Sequence, residues 1–428
     1  MLTTRNISTI GSENEAWLVR MNALSPPKPN GYRTVSRASY LSLNSSSADD
    51  SIEIPSTVDS VEGLQFCGFN ATAAHEVYER YTTSENILGH GLGTFAVGYI
   101  SGRASQRNAV LPTDGWDEAL AYMDLTRRKR DALLKPEYKD FRMLGTAETW
   151  AKEIVADSYE WLLDLDRIIT YRRSQRGQNP SVRPYSPSLN VTPSPAIEPT
   201  SRPSSSSGQL PYPLLETSVV LPTEIPEYTM LYKGGTTRRL EKVWADGTGG
   251  RLELPNLYSK PPTDFHPQNP HILYFTKQKQ CAEVYAKMAE DIKDPVPAGI
   301  LHVAVPKEML SQAISIVGTD FKQLVFESRT QNPRGSVSAH LQHYTTASLL
   351  VGPICGVSSD VLTRHAQTAD DVTLLGIGQG AKASQYAFQG NDMADELNDK
   401  CEGMVWLEEM SCRGVGTWRK AREEVLRH

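Results

Sequence analysis

The stretch His271–Asp291, HILYFTKQKQCAEVYAKMAED, decides how the rest of the chain is read. Ile272, Leu273, Tyr274 and Phe275 form a continuous apolar run of strand length, whereas Cys281, Val284, Tyr285 and Met288 recur at helical spacing. The change of period predicts a buried strand turning directly into an amphipathic helix at Thr276, whose hydroxyl is placed to cap free backbone N–H groups. Such a junction is an ordinary packing device, and its helix start is also a place where an anion is stabilised.

Outward from that junction, residues 223–428 mix both periods. Strands are expected at YTMLYKG, HILYF, GILHVAV, FKQLVFES, ASLLVGPI, SQYAFQ and GMVWLEE, each short and rich in β-branched or aromatic residues. Helices are expected at KQKQCAEVYAKMAED, PKEMLSQA, NDMADELNDKC and the basic C-terminal TWRKAREEVLR. Strand runs outnumber helices and do not alternate with them one to one, which predicts a mixed α+β domain rather than a doubly wound one.

Residues 61–173 carry the helical period instead. TAAHEVYERY opens after Asn70 or Thr72, and TAETWAKEIVADSYEWLLDLDRIITYRR places Ala151, Ile154, Val155, Ser158, Trp161, Leu162, Leu165, Ile168 and Ile169 on one stripe. With the amphipathic DGWDEALAYMDLTRRKRDALL they predict a small helical bundle. Between the two blocks, residues 174–222 open with SQRGQNPSVRPYSPSLNVTPSPAIEPTSRPSSSSGQLPYP, where proline and serine dominate, the composition of a flexible linker. Residues 1–60, with SLNSSSADDS and no sustained period, are expected to be a disordered tail.

Composition excludes several classes. The 428 residues are 39% hydrophobic, enough for real cores, and a formal net charge of −6 provides no field that draws nucleic acid or anionic lipid. Five scattered cysteines lack C-x-x-C spacing, which argues against a zinc site or redox pair and for a reducing compartment, the cytoplasm or nucleus. The longest apolar run, ASLLVGPICGV from Ala347, is far short of a membrane span. TRRKRD (126–131) and YRRSQR (171–176) read as solvated helix ends, with nuclear import as the other reading.

Two segments carry a family resemblance. MLYKGGTTR (230–238), followed about forty residues later by LYFTKQKQCAEVYA, resembles the first two motifs of the ADP-ribosyltransferase fold. In that family a strand ending in histidine or arginine and then glycine meets a second strand whose small polar residue leads into a helix with a tyrosine. The nicotinamide and its ribose lie between them. The resemblance places Lys233 and Gly234 at the first motif, Thr276 at the polar position and Tyr285 at the helical tyrosine, all four as NAD-binding residues. SQYAFQGNDMADEL resembles the third motif, with Gln385 at or near the family's catalytic glutamate and Gln389 beside it. The chain is also similar to a group of filamentous-fungal proteins of no assigned activity that share YKGG, YFT with AEVYA, HVAVP, FKQLVFESR, LLVGPI and QYAF in that order.

Two departures bear on chemistry. Lysine has no planar fork and no acceptor where the family uses histidine or arginine. An amide oxygen at Gln385 accepts a hydrogen bond but brings no negative charge to a developing cation, and Glu408 and Glu409 lie on the next strand. The implied protein is therefore an ADP-ribosyltransferase-like binder of NAD or a related nucleotide with degenerate or lost catalysis. The alternative is a non-catalytic protein that works through protein contacts, with the helical domain as partner or recognition surface. No metal is implied: His340 and His343 stand with two residues between them and no third ligand nearby. LLGIGQGAKAS, with Gly376, Gly378 and Ala381 in a dinucleotide-like spacing, reads as a plain turn, and GHGLG (89–93) as a loop between helices.

Overall fold

The structure is a computed structural model that describes residues 15–40, 51–84, 91–106, 115–175, 225–245, 251–330, 337–410 and 417–420. Its first half runs α1 (Glu15–Arg20), β1 (Tyr32–Ser36), β2 (Ser51–Pro55), α2 (Val61–Cys67), α3 (Ala71–Thr83), α4 (Leu92–Gln106), α5 (Trp116–Tyr122), α6 (Arg127–Leu133), α7 (Lys139–Arg142) and α8 (Ala147–Gln175). The Asn70 side chain caps α3 by accepting from Ala73 N–H at 2.9 Å. The stripe of α8 is buried from Ala151 to Ile169, with Trp161 stacked on Phe66 and edge-on to Tyr40. Helix α4, which begins inside the GHGLG segment expected as a loop and runs on through residues with no expectation attached, packs along α8.

The second half runs β3 (Tyr228–Thr236), α9 (Thr237–Leu240), β4 (Ile272–Phe275), α10 (Lys279–Lys293), β5 (Ala298–Pro306), α11 (Lys307–Leu310), β6 (Ile314–Ser315), α12 (Gly318–Thr330), α13 (Gln342–Thr345), β7 (Leu349–Pro353), α14 (Ser359–His365), β8 (Ser384–Gln389), α15 (Asn391–Cys401), β9 (Val405–Glu409) and β10 (Thr417–Lys420). Its strands form two four-stranded sheets, ordered β10-β9-β5-β3 and β4-β8-β7-β6. The first is antiparallel throughout; in the second only β6 pairs parallel, with β7. Leu231, Leu301, Val303 and Leu407 of the first sheet share a core with Leu273, Phe275, Leu349 and Phe388 of the second, and α15 adds Ala394 and Leu397. Helices and mixed sheets together make the α+β class.

Helix α10 connects the halves. One face, Ala282 and Ala286, lies on β3 and β5 against Ile300. The other, Cys281, Met288 and Ile292, is buried in the core built by α2 to α8, each side chain of this size contributing about 1.5–3 kcal/mol. Polar contacts surround this docking. Asp294, just past α10, accepts from Arg128 and, at 3.5 Å, from Arg37, while its carbonyl accepts from Lys129 at 2.9 Å. Asp291 receives Lys135 at 2.5 Å and the Tyr138 hydroxyl; Lys293 pairs with Asp157 at 2.5 Å; Arg238 bridges Glu160 and Asp164 of α8. Burial pushes Lys129 down to about 8, against the pull of Asp294.

Several expectations are corrected. The disordered tail is contradicted over 15–40 and 51–60: β1 and β2 pair in register, and Leu18, Val35 and Ile54 are wholly buried in the helical core. Residues 1–14 and 41–50 lie outside the described residues, as does the expected 174–222 linker from 176 onward. FKQLVFES is not a strand but the body of α12, since Phe321, Leu324, Val325 and Ser328 make a helical stripe that outweighs β-rich composition. TRRKRD opens α6 with Arg127 and Arg128 exposed, as a solvated end would be, but Lys129 is buried and donates to the Asp294 carbonyl. The expected C-terminal helix is, over Thr417–Lys420, a strand paired with β9; residues 421–428 lie outside the described set. No described helix is long and apolar enough to cross a membrane.

The seat of α10 on β3 makes a paired prediction. A Cβ added at Gly234 would sit 2.0 Å from the Ala282 carbonyl, whereas one at Gly235 would meet nothing within 4 Å. Gly234→Ala is expected to cost about 2 kcal/mol or more and Gly235→Ala to fall within about 0.5 kcal/mol of the parent, by urea denaturation. Equal costs would contradict this placement of the helix.

Candidate functional site

Strands β3 and β4 belong to different sheets and meet at a backbone bridge. Tyr232 N–H donates to the Thr276 carbonyl at 2.7 Å, and Thr276 N–H returns the bond at 2.9 Å. The strand end carrying Lys233 and Gly234 and the junction led by Thr276 are therefore direct neighbours.

Lys233 lies in register with Leu301, and its ammonium donates to the Tyr274 carbonyl at 3.1 Å with the Phe275 ring 5.8 Å away. Burial, reinforced by the nearby Arg239 charge, lowers its pKa to about 7. Gly234 faces the backbone of α10, so helix rather than open space covers its side-chain face. Thr276 does not cap the helix as the sequence suggests. Its hydroxyl accepts from Gln278 N–H at 3.1 Å, and α10 starts only at Lys279, with Gln278 as an N-cap whose side chain makes no cap bond. That side chain is held elsewhere: its oxygen accepts from Ser384 N–H at 2.7 Å and its amide donates to the Lys382 carbonyl at 2.9 Å, tying the junction to the start of β8.

Tyr285, expected to stack on a ligand ring, packs edge-on against Phe141 of α7, centroids 4.8 Å apart. Gln385, on β8 opposite Gly352, is buried and donates its amide to Asp264 Oδ2 at 2.6 Å and to the Pro353 carbonyl at 3.1 Å. Asp264 itself is buried. Its Oδ1 lies 2.7 Å from Arg329 Nη2, its Oδ2 accepts from Cys355 N–H at 3.2 Å, and Arg329 donates on to the Val357 carbonyl at 3.0 Å. Burial works against the Arg329 charge, and the Asp264 carboxylate outweighs it and raises the arginine pKa. Burial also raises both the Tyr274 and Tyr285 phenols, and both feel Asp264 and Arg329. Gln385, Tyr274 and Tyr285 thus gather round an internal ion pair, while Lys233 reaches β4 through the Tyr274 carbonyl.

Asp264 and Arg329 are the residues that sequence reasoning missed. Asp264 sits in an irregular loop before β4 with no motif around it, and Arg329 closes the segment misread as a strand. Gln389 belongs elsewhere, its amide holding the Tyr344 and Ala347 carbonyls. Glu408 lies on the α10 side of the first sheet, accepting from His302 at 3.0 Å and Lys279 at 3.2 Å. The Gly376–Lys382 segment is a bridged turn, not a helix start. Among the described residues no group of three or more acidic, histidine or cysteine side chains is arranged to hold a metal. A polar cavity of about 290 Å³ lined by Arg251, Leu252, Asp395, Asn398, Asp399 and Glu402 contains none of the site residues.

No protein-family model matches the chain, and neither does any curated protein or solved structure.

The contact of Gln385 with Asp264 yields a prediction. In Gln385→Glu a second carboxylate replaces the donor 2.6 Å from Asp264 Oδ2. Like charges at that distance force one carboxyl to hold its proton in the folded state, so its pKa is raised and the folded form binds more protons than the unfolded one. Stability of the variant should fall as pH rises through that raised pKa. Urea midpoints close to the parent at pH 5 and well below it at pH 8 are expected; the same offset at both values would contradict the geometry.

Proposed function

We propose that this chain is a non-catalytic protein built on an ADP-ribosyltransferase-like scaffold, in which the helical region and the two-sheet region work as one interaction body. The observation that carries this is the engagement of Gln385: its amide is bonded to Asp264 and Pro353, and Asp264 is in turn paired with Arg329. No carboxylate at that place is left to stabilise a developing cation. Tyr285 supports the same view, since its ring is packed in a T-shaped pair with Phe141.

A second reading, a binder of NAD or a related nucleotide without turnover, is favoured by one observation. Lys233, Gly234 and Thr276, which the family resemblance assigns to the ligand, lie together at the only bridge between β3 and β4 found among the described residues.

The two readings separate experimentally. Calorimetry of the full chain with NAD, run beside an assay for released nicotinamide, is expected to show neither heat nor release. Heat without release would favour the second reading, and release would overturn both.

A further inference from the structure

Lys233 is an inward-facing amine without a counter-ion. Its hydrogen-bond partner is one backbone carbonyl, and among the described residues no carboxylate pairs with it. An isolated buried ammonium is costly, so a large share of the amine is neutral near pH 7, with a free lone pair. Lysines in such surroundings are nucleophiles toward carbonyl carbon.

There is also room beside it. Alternation along β3 puts Lys233 and Gly235 on one face, about 7 Å apart. On that face a Cβ at Gly235 would meet no atom within 4 Å, in contrast to Gly234, whose opposite face is closed by α10. A second cation lies within charge range of the amine: Arg239, in the short helix that follows β3, is exposed, has no carboxylate partner among the described residues, and acts on Lys233 through its charge. An amine, a gap and a free guanidinium together suit a small molecule with an aldehyde at one end and an anionic group at the other.

We propose that Lys233 and Arg239 form a site for a phosphorylated aldose in its open-chain form, with Arg239 holding the phosphate and Lys233 condensing with the aldehyde. The Nζ lone pair forms a C–N bond to the aldehyde carbon while the carbonyl π pair moves to oxygen, which takes up a proton. The resulting carbinolamine loses water to give a protonated imine, reversible unless a hydride donor reduces the carbon. The site is independent of the proposed function: silence toward NAD leaves it standing, and failure of Lys233 to react leaves both readings above untouched.

The test is reductive trapping on the intact full-length chain with ribose 5-phosphate and sodium cyanoborohydride, followed by intact mass and peptide mapping. A single adduct on Lys233 is expected. It should form about tenfold faster than with unphosphorylated ribose, the scale of one charge-assisted contact, and Arg239→Ala should remove that preference. Its rate should be half-maximal near pH 7, following the amine lowered to about 7, while exposed lysines continue to gain reactivity toward pH 10. Lys233→Met should lose the adduct with its far-ultraviolet circular dichroism unchanged. Labelling spread over exposed lysines with Lys233 no faster than the rest would overturn the site. Equal rates for ribose and ribose 5-phosphate would remove Arg239 from it.

Discussion

The close approach of α10 to β3 is the constraint on which the rest of the structure depends. At Gly234 the helix backbone comes so near that an added Cβ would lie 2.0 Å from a carbonyl oxygen. Only glycine on the strand and alanine at Ala282 and Ala286 on the helix allow it. With the helix seated there, Thr276 is brought back to Tyr232, and a backbone bridge joins the edges of the two sheets. The same seat turns Cys281, Met288 and Ile292 outward, where they need a second apolar surface, which the helical region supplies. One helix thereby belongs to two cores.

Electrostatics follow from that arrangement. Asp291 and Asp294 stand at the C-terminal end of α10, where the helix dipole disfavours negative charge. Arg37, Arg128, Lys129 and Lys135, together with Tyr138, offset that cost from the other half, and Lys293 answers with Asp157 and Glu153. Side chains that a ligand would need are engaged, Tyr285 by this docking and Gln385 within the second half itself. Phe141 of α7 meets Tyr285 across this docking, in which α6 and α8 touch α10, and Gln385 is turned inward by the Asp264–Arg329 pair. Lys233 differs, since its partner is a carbonyl and the space on its side of β3 remains open.

Local periodicity explains how much of this was legible. The run Ile272–Phe275 followed by the stripe from Cys281 gave strand then helix, because each period is a direct image of which side is buried. The strands at Tyr228, Ala298, Leu349, Ser384 and Val405 were readable for the same reason. The segment from Phe321 to Ser328 was not, because its apolar residues suit both periods and composition favoured the wrong one. The hairpin of β1 and β2 escaped notice since its halves are separated by a polar segment and its stability comes from Leu18, Val35 and Ile54 reaching a distant core. At the site, Lys233 and Thr276 were placed correctly beside one another, whereas the Asp264–Arg329 pair joins residues 65 positions apart (329 − 264) that share no local pattern. Phe141 on Tyr285 is likewise a product of docking.

The central claim is that α10 is the shared core of both halves, and native-state hydrogen exchange tests it most directly. Amides of residues 282–292 should exchange only through the same global opening that releases β3, β5 and α8, with equal free energies and equal denaturant dependence. Exchange of α8 through a separate, lower-energy opening that leaves α10 and the sheets protected would contradict it.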